Sequence, residues 1–238
     1  MNDTNSIQLT RELLREYSEA ALDNAAALLD EATLLLRHGH RARTYFLAVA
    51  SMEETGKALL AFDGQGRNLT DPAVVTKLRR SMENHRSKIN AAFSAWIMAS
   101  ANVREAVMPA VNLIIALTHG REPSMYTDIR SDIGRVQRPS EVVREVAAAD
   151  SVRLAVQCLE HARLHVANNG PVPRTQVEDQ LFSMKATQYH EIANTEDFWW
   201  YYNAEREASR KDWAAAVVTY RREFVLKGRQ FRAQHEDA

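Results

Sequence analysis

The chain has 238 residues, of which 45% are apolar and 26% are charged, and its formal net charge is -1. This balance is typical of a folded globular protein, so it excludes a mainly disordered chain and a general attraction to nucleic acid or membranes. The single cysteine, Cys158, excludes a disulfide scaffold and an intrachain thiolate zinc site. Eight glycines and six prolines are too few for the turns of a β-sandwich or barrel, so the composition predicts an all-α fold.

The N-terminal half of the chain predicts three long helices. Apolar residues recur at helical spacing over residues 6–37 and again over residues 41–62, which predicts the first two helices. Asp71 is a suitable N-cap and Pro72 fits the first helical position. We therefore expect the third helix to begin at this point and to continue past Trp96.

The C-terminal half predicts helices separated by one long loop. A helix is expected over residues 103–118, and the two glycines and two prolines of residues 119–139 then predict a loop. A loop of that length inside a helical domain is unusual and is often functional. One long helix is expected over residues 140–167, and two more over residues 175–193 and 195–234.

The sequence from 168 to 173, Asn-Asn-Gly-Pro-Val-Pro, is the best linker candidate. It predicts a helical domain over residues 1–168 and a helical extension of unknown role over residues 169–238. An aromatic group over residues 198–202 lies near the start of the last helix. Core packing is the favoured interpretation of this group, and an exposed surface that binds a partner is the alternative.

No segment predicts export or membrane insertion. The first eleven residues are polar and lack the apolar core of a signal peptide. The most apolar run, residues 107–117, contains Pro109 and Asn112 and is too short to span a bilayer. We therefore expect a cytoplasmic protein that makes no membrane contact.

The second helix carries a polar group beside an apolar face. A helical wheel places Gly56 near the centre of that face, where a missing side chain permits another helix to approach closely. Glu53 lies at the flank of the face, and Glu54 points away from it. Lys57 lies one turn after Glu53, in the favourable orientation for an ion pair. The simpler interpretation is a salt bridge beside a tight helix crossing.

The third helix places His85 in the middle of an apolar stripe. A histidine in that position needs a buried partner or must stay neutral, and Glu53 on the adjacent helix is the obvious carboxylate. The pattern fits two interpretations about equally well, a structural histidine packed in the core and a functional histidine. The chain contains no Glu-x-x-His, His-Glu-x-x-His or phosphate-loop motif, so neither a metal nor a cofactor is predicted.

Three motifs in the same order resemble those of the AbiV abortive-infection proteins. They are the Glu-Glu-x-Gly-Lys sequence of residues 53–57, His85-x-x-Lys88, and residues 125–128 (Met-Tyr-Thr-Asp) followed by Pro139. The resemblance extends over about residues 13–167. It implies a helical bundle of the HEPN superfamily and a role in defence against phage by growth arrest. Many HEPN proteins dimerise and cleave RNA without a metal, so a homodimer is expected, and RNA is one of two candidate partners beside a phage-encoded protein.

The resemblance also implies candidate catalytic residues. HEPN ribonucleases carry an arginine and a histidine separated by four to six residues. Arg80 and Arg79 precede His85 with four and five intervening residues. Histidine suits the role of base at a 2′-hydroxyl, and arginine suits the developing phosphate charge. The candidate catalytic residues are therefore His85, Arg80, Arg79 and Glu53. Residues five apart on a straight helix point about 140° apart, so Arg80 and His85 can converge only at an irregular helix start or across a dimer interface.

A non-catalytic effector is the alternative. It would bind a phage protein or the translation machinery, and Glu53, Lys57, His85 and Lys88 would form a structural polar cluster. The candidate binding or structural residues are Glu54, Lys57, Lys88, Tyr126 and Asp128. A third hypothesis is a helical scaffold whose activity resides in the extension.

Overall fold

The computed structural model describes residues 8–132 and 134–232, with the exception of the Ala106 side chain. These residues form eleven α-helices, a short 3-10 helix at Val225–Lys227 and a two-stranded antiparallel hairpin. The α-helices are α1 (Arg11–Arg37), α2 (Arg41–Gly64), α3 (Pro72–Glu83), α4 (His85–Ala99), α5 (Val103–Met125), α6 (Pro139–Val142), α7 (Glu145–Asn168), α8 (Gln176–Ser183), α9 (Ala186–Ala193), α10 (Glu196–Glu207) and α11 (Trp213–Glu223). The hairpin consists of β1 (Asp128–Arg130) and β2 (Arg135–Gln137). The predicted all-α fold is confirmed.

The chain divides into two compact units. The first contains the residues up to Gly66 together with Leu78–Val172. Its central helix is α2, which packs against α1, α4, α5 and α7. Small side chains allow these helices to approach closely, and their fully buried members include Ala25, Ala32, Ala48, Ala58, Ala92, Ala110, Ala155 and Ala162.

Two buried hydroxyl groups join α1 to α2. Ser18 Oγ donates to the carbonyl oxygen of Ala58 at 2.9 Å. Ser51 Oγ donates to the carbonyl oxygen of Ala25 at 2.7 Å. Each bond satisfies a polar group that would be costly to bury alone.

The second unit contains Arg67–Lys77 and the residues from Pro173 onward. Asp179 on α8 accepts hydrogen bonds at 2.9 Å from Arg67 Nη1 and from the backbone N–H of Asn68, which fixes the earlier segment to this unit. The core is aromatic and aliphatic, and it contains Ile192, Phe198, Tyr201, Val217, Tyr220 and Phe224. The predicted domain boundary at residue 168 stays a prediction.

The aromatic group of residues 198–202 divides between core and surface. Phe198 is fully buried and Tyr201 is 3% exposed, as the core interpretation requires. Trp199 and Trp200 are 43% and 52% exposed. Each indole N–H still has an acceptor, the Ala193 carbonyl for Trp199 and the Glu196 carboxylate for Trp200.

The predicted third helix is broken in the structure. α3 begins where expected, with Asp71 Oδ1 accepting a hydrogen bond from the N–H of Ala73 at 2.8 Å. It ends at Glu83 because Asn84 has an extended backbone, with φ −77° and ψ 120°. Asn84 then caps α4, since its side chain accepts a hydrogen bond from the N–H of Ser87 at 2.9 Å. The expectation of one helix continuing past Trp96 was wrong.

The predicted loop over residues 119–139 is partly regular. α5 continues to Met125, and the following residues form the hairpin, in which Ile129 pairs with Val136. The helix expected over residues 6–37 begins at Arg11, because Thr10 Oγ1 caps it by accepting from the N–H of Leu13. Shorter interruptions also divide the helices expected beyond residue 139. Within the described residues, no helix combines the length and the apolar character needed to cross a membrane.

Candidate functional site

Glu53 on α2 is a buried carboxylate with three cationic or ionisable partners. Its side chain is 6% exposed. His85 Nδ1 lies 2.9 Å from each of its two oxygens, Lys88 Nζ lies 2.7 Å from Oε2, and Arg121 Nε lies 2.9 Å from Oε1. Because a buried carboxylate is stable only when it is paired, these partners compensate its desolvation. We refer to Glu53, His85, Lys88 and Arg121 as the Glu53 cluster.

Gly56 explains how α4 comes so close to α2. A Cβ atom built on Gly56 would lie 1.8 Å from the carbonyl oxygen of Lys88. Only a glycine allows this separation between the two helices. Glu53 lies three residues earlier on α2, so the crossing brings the first turn of α4 to its carboxylate. The predicted close approach at Gly56 and the predicted contact between Glu53 and His85 are both confirmed.

The break at Asn84 determines which side chains of α4 reach Glu53. His85 is the first residue of α4 and Lys88 lies three residues later, so the two side chains share one face of the first turn. The side chain of His85 is 50% exposed, whereas that of Lys88 is 6% exposed. The expectation that His85 occupies the middle of a buried apolar stripe was therefore wrong, because its helix begins at this residue.

The ring of His85 has a defined orientation. A carboxylate only accepts hydrogen bonds, so Nδ1 is the nitrogen that carries the proton and donates to Glu53. Nε2 is then an acceptor whenever the ring is neutral. A half-exposed imidazole held in this way presents a potential base to solvent.

Lys57 pairs with Glu54 and not with Glu53. The ammonium group of Lys57 contacts Glu54 Oε1 across three residues of α2, and both side chains are partly exposed. Burial opposes the charge of Lys57, but the hydrogen bond and charge of Glu54 outweigh it and raise the pKa of Lys57. The predicted ion pair between Glu53 and Lys57 was wrong because the Glu53 oxygens are occupied by α4 and α5.

Arg121 is the member of the cluster that the sequence analysis missed. It lies in the segment expected to be a loop, where the structure shows the last turns of α5. The preceding Gly120 packs against Tyr45, whose hydroxyl oxygen would lie 2.4 Å from a Cβ atom at that position. Burial raises the pKa of Tyr45. No local pattern near Arg121 predicted its contact with Glu53, because that contact depends on α5 packing against α2.

The remaining candidates lie at different places in the first unit. Arg80 is exposed near the end of α3, and Arg79 lines a cavity together with Lys57 and Lys88. Tyr126 is the C-cap of α5 and is 58% exposed. Asp128 is exposed and accepts from the backbone N–H of Ile129. The structure thus brings Glu53, His85 and Lys88 together and places Tyr126 and Asp128 on the exposed hairpin segment.

Two further observations concern metal and thiol chemistry. The described part of the chain contains no group of three or more histidine, cysteine or acidic side chains arranged to hold a metal ion. Cys158 is buried in α7, and burial raises the pKa of its thiol to about 12. It therefore packs as a small core residue, as the sequence predicts.

Glu53 and its three partners all lie within a stretch of the chain that matches a known family. The AbiV model of the HEPN group matches residues 13–160, which is more than half of the chain. The chain therefore belongs to the AbiV family, whose role is abortive infection, a defence against phage. No curated protein and no solved structure matches the chain.

Proposed function

We propose that this protein stops the growth of phage-infected bacteria by cleaving RNA, with His85 as the general base. The observation that carries this proposal is the pair formed by His85 and Glu53. Nδ1 of His85 lies 2.9 Å from both carboxylate oxygens, while the ring is half exposed. A buried carboxylate that orients an exposed imidazole is the arrangement that general-base catalysis requires.

The proposed reaction is an internal transfer of phosphate. Nε2 of His85 removes the proton of a ribose 2′-hydroxyl, and the oxygen attacks the adjacent phosphorus. The bond to the 5′-oxygen of the next nucleotide breaks, which leaves a 2′,3′-cyclic phosphate and, after protonation, a 5′-hydroxyl. Glu53 acts as a positioning residue, because it holds the ring but does not touch RNA.

Arg79 and Arg80 are the proposed source of positive charge for the pentacovalent phosphate. Both lie on the last turns of α3, and His85 begins α4. Because Asn84 separates the two helices, the 140° angle expected for a straight helix does not apply to Arg80 and His85. This interruption supports their use at one site.

A non-catalytic effector is the second candidate, and the pairing of Glu53 favours it. Lys88 and Arg121 bring α4 and α5 to the same carboxylate, so a structural role would by itself account for the Glu53 cluster. In this proposal the protein binds a phage protein or a component of the translation machinery. Either function is expected in the cytoplasm, where those partners occur, and a homodimer is expected in both.

The test compares total RNA and growth after expression of the wild type, His85→Ala and His119→Ala, each with and without phage infection. His119 is an exposed histidine on α5, so its variant controls for removal of an imidazole from a helix. We expect fragmented RNA and growth arrest with the wild type and His119→Ala, and intact RNA with His85→Ala. Circular dichroism and solubility confirm that the variants fold. Growth arrest with intact RNA would instead support the binding effector.

A further inference from the structure

A cavity of about 550 Å³ lies in the first unit, and the proposed RNA cleavage uses Arg79 of its wall but not the cavity itself. Its apolar wall is formed by Leu9, Leu13, Leu14 and Tyr17 at the start of the chain and by Met82 on α3. The volume falls within the range of small-molecule sites, which is roughly 300–1,000 Å³. The cavity is therefore large enough for a ligand of metabolite size.

Cationic side chains outnumber carboxylates among the residues that line the cavity. Lys57, Arg79 and Lys88 line the cavity, and Glu83 is the carboxylate among the lining residues. The carboxylates that pair with Lys57 and Lys88, Glu54 and Glu53, do not belong to this wall. Because Glu54 raises the pKa of Lys57, that ammonium group remains charged at neutral pH.

The wall also limits the class of ligand. Among the described lining residues, none carries a side-chain amide or an aliphatic hydroxyl, and the Tyr17 hydroxyl is the neutral polar group. A sugar or a nucleobase needs several such groups for its own donors and acceptors. Leucine and methionine side chains instead favour a ligand with an aliphatic chain.

We propose that this cavity binds a small amphipathic anion, an aliphatic chain with a carboxylate head. The chain would lie against Leu9, Leu13 and Met82, and the carboxylate would face the three cationic side chains of the wall. This inference is independent of RNA cleavage.

Lys88 connects the cavity to the Glu53 cluster. Its side chain lines the wall, and its Nζ lies 2.7 Å from Glu53 Oε2. An anionic head in the cavity therefore competes with Glu53 for this ammonium group. Binding is expected to alter the environment of His85, which shares the same carboxylate.

The experiment measures the binding of decanoate to the full chain by isothermal titration calorimetry. Decyltrimethylammonium has the same chain with the opposite head charge, and acetate has the head without the chain. We expect decanoate to bind at least about tenfold more tightly than either, since both the chain and the charge contribute. Equal affinity for the two decyl compounds, or tighter binding of adenosine 5′-monophosphate, would overturn the proposal.

Two variants locate the binding site. Leu13→Asp places a carboxylate in the wall, and Lys57→Gln removes a cation. We expect each variant to weaken decanoate binding at least about fivefold. The control is Lys185→Gln, which replaces an exposed lysine of the second unit, and its affinity should stay within about twofold of the wild-type value. If Leu13→Asp does not fold, Lys57→Gln decides alone, and unchanged affinity in that variant rejects the site. Because the measurement is binding, its failure does not bear on RNA cleavage.

Discussion

Glu53 is the buried residue on which three side chains of two other helices converge. Its carboxylate contacts two side chains of α4 and one of α5. Lys88 is 5% exposed, so its charge depends on Glu53 for compensation. His85 is half exposed and uses the same carboxylate only for orientation. The same carboxylate therefore connects α2 to α4 and α5 and orients a half-exposed imidazole.

At the residue scale, Glu53→Gln is expected to lower the free energy of unfolding by about 3–5 kcal/mol, because it leaves the buried Lys88 ammonium without a counter-charge. Urea denaturation followed by circular dichroism measures this change. The matched control is Glu54→Gln, whose partner Lys57 is partly exposed, and it is expected to cost about 1 kcal/mol or less. Equal losses in the two variants would contradict the structural role of Glu53.

At the element scale, the position of α4 depends on two local features. Asn84 interrupts the helix and caps the next one, which makes His85 and Lys88 neighbours on a first turn. Gly56 allows the backbone of α4 to touch α2. The Glu-Glu-x-Gly-Lys and His-x-x-Lys motifs are therefore the two sides of one helix crossing.

The crossing predicts a penalty for any side chain at Gly56. Gly56→Ala gains about 1 kcal/mol in helix propensity, but its Cβ would meet the Lys88 carbonyl oxygen at 1.8 Å. We expect a net loss of about 1–3 kcal/mol in the free energy of unfolding, as for other overpacked interiors. Gly170→Ala is the control, because nothing lies within 4 Å of its Cβ position. A loss of comparable size in Gly170→Ala, or a stabilised Gly56→Ala, would refute the explanation.

At the scale of the whole molecule, the two units have separate cores with different chemistry. The first is rich in alanine, and the second is aromatic. Asp197 is a buried polar group of the second unit. It accepts hydrogen bonds from Tyr220 Oη and from the backbone N–H groups of Phe231 and Arg232, at 2.7–3.0 Å.

These bonds make the second unit sensitive to acid. Burial raises the pKa of Asp197, but the three hydrogen bonds outweigh it and hold the pKa below the ordinary value of 3.8. Because the folded pKa is lowered, the stabilisation is fully present above pH 3.8 and is lost as the pH falls through the folded pKa. Acid unfolding of this unit is therefore coupled to protonation of Asp197.

Asp197→Asn is expected to destabilise the second unit at pH 7 by about 1.5–3 kcal/mol, because bonds to a charged acceptor are replaced. The variant should also lose less stability than the wild type between about pH 5 and pH 2. Tryptophan fluorescence in urea follows this unit, which contains Trp199, Trp200 and Trp213. Asp212→Asn keeps a side-chain oxygen at the N-cap of α11 and serves as the control. Its free energy of unfolding is expected to differ from that of the wild type by no more than about 0.5 kcal/mol. Equal stability of Asp197→Asn and the wild type at pH 7 would refute the role.

The proposed homodimer is also a property of the whole molecule. Every fourth residue of one face of α5 is an exposed apolar side chain, at positions Val103, Val107, Val111 and Ile115. Met108 beside them is 64% exposed. A continuous exposed apolar face of this kind is typical of an interaction surface.

Met108→Lys combined with Val111→Lys is expected to convert a dimer into a monomer, since charges at the centre of an apolar interface are strongly unfavourable. Sedimentation equilibrium would show a fall from twice the chain mass of 27.0 kDa to that mass. Val172→Lys, an exposed valine outside α5, is the control and should leave the mass unchanged. A wild type that sediments as a monomer would reject the dimer proposal.

Three features of the protein could be predicted from the sequence: the helical class, the first two long helices within a few residues, and the contact between Glu53 and His85. The helical class and the two helices follow from helical periodicity. The contact was predicted from a buried histidine that needs a carboxylate, whereas in the structure Glu53 is the buried group and His85 is half exposed. Asp71 and Pro72 likewise predicted the start of α3, because capping depends on neighbouring residues alone.

Three other features could be seen only in the structure. They are the helix break at Asn84, the ion pair of Lys57 with Glu54, and the contact of Arg121 with Glu53. The local sequence is compatible with a continuous helix through Asn84. In the structure Asn84 is the N-cap of α4, and this helix packs against Gly56. Arg121 reaches Glu53 from a segment 68 residues away, whose helical form the local proline and glycine content did not predict. Contacts between helices that are distant in the sequence leave no pattern in the local sequence. The contacts of Glu53 with α4 and α5, which form the candidate site, are of this kind.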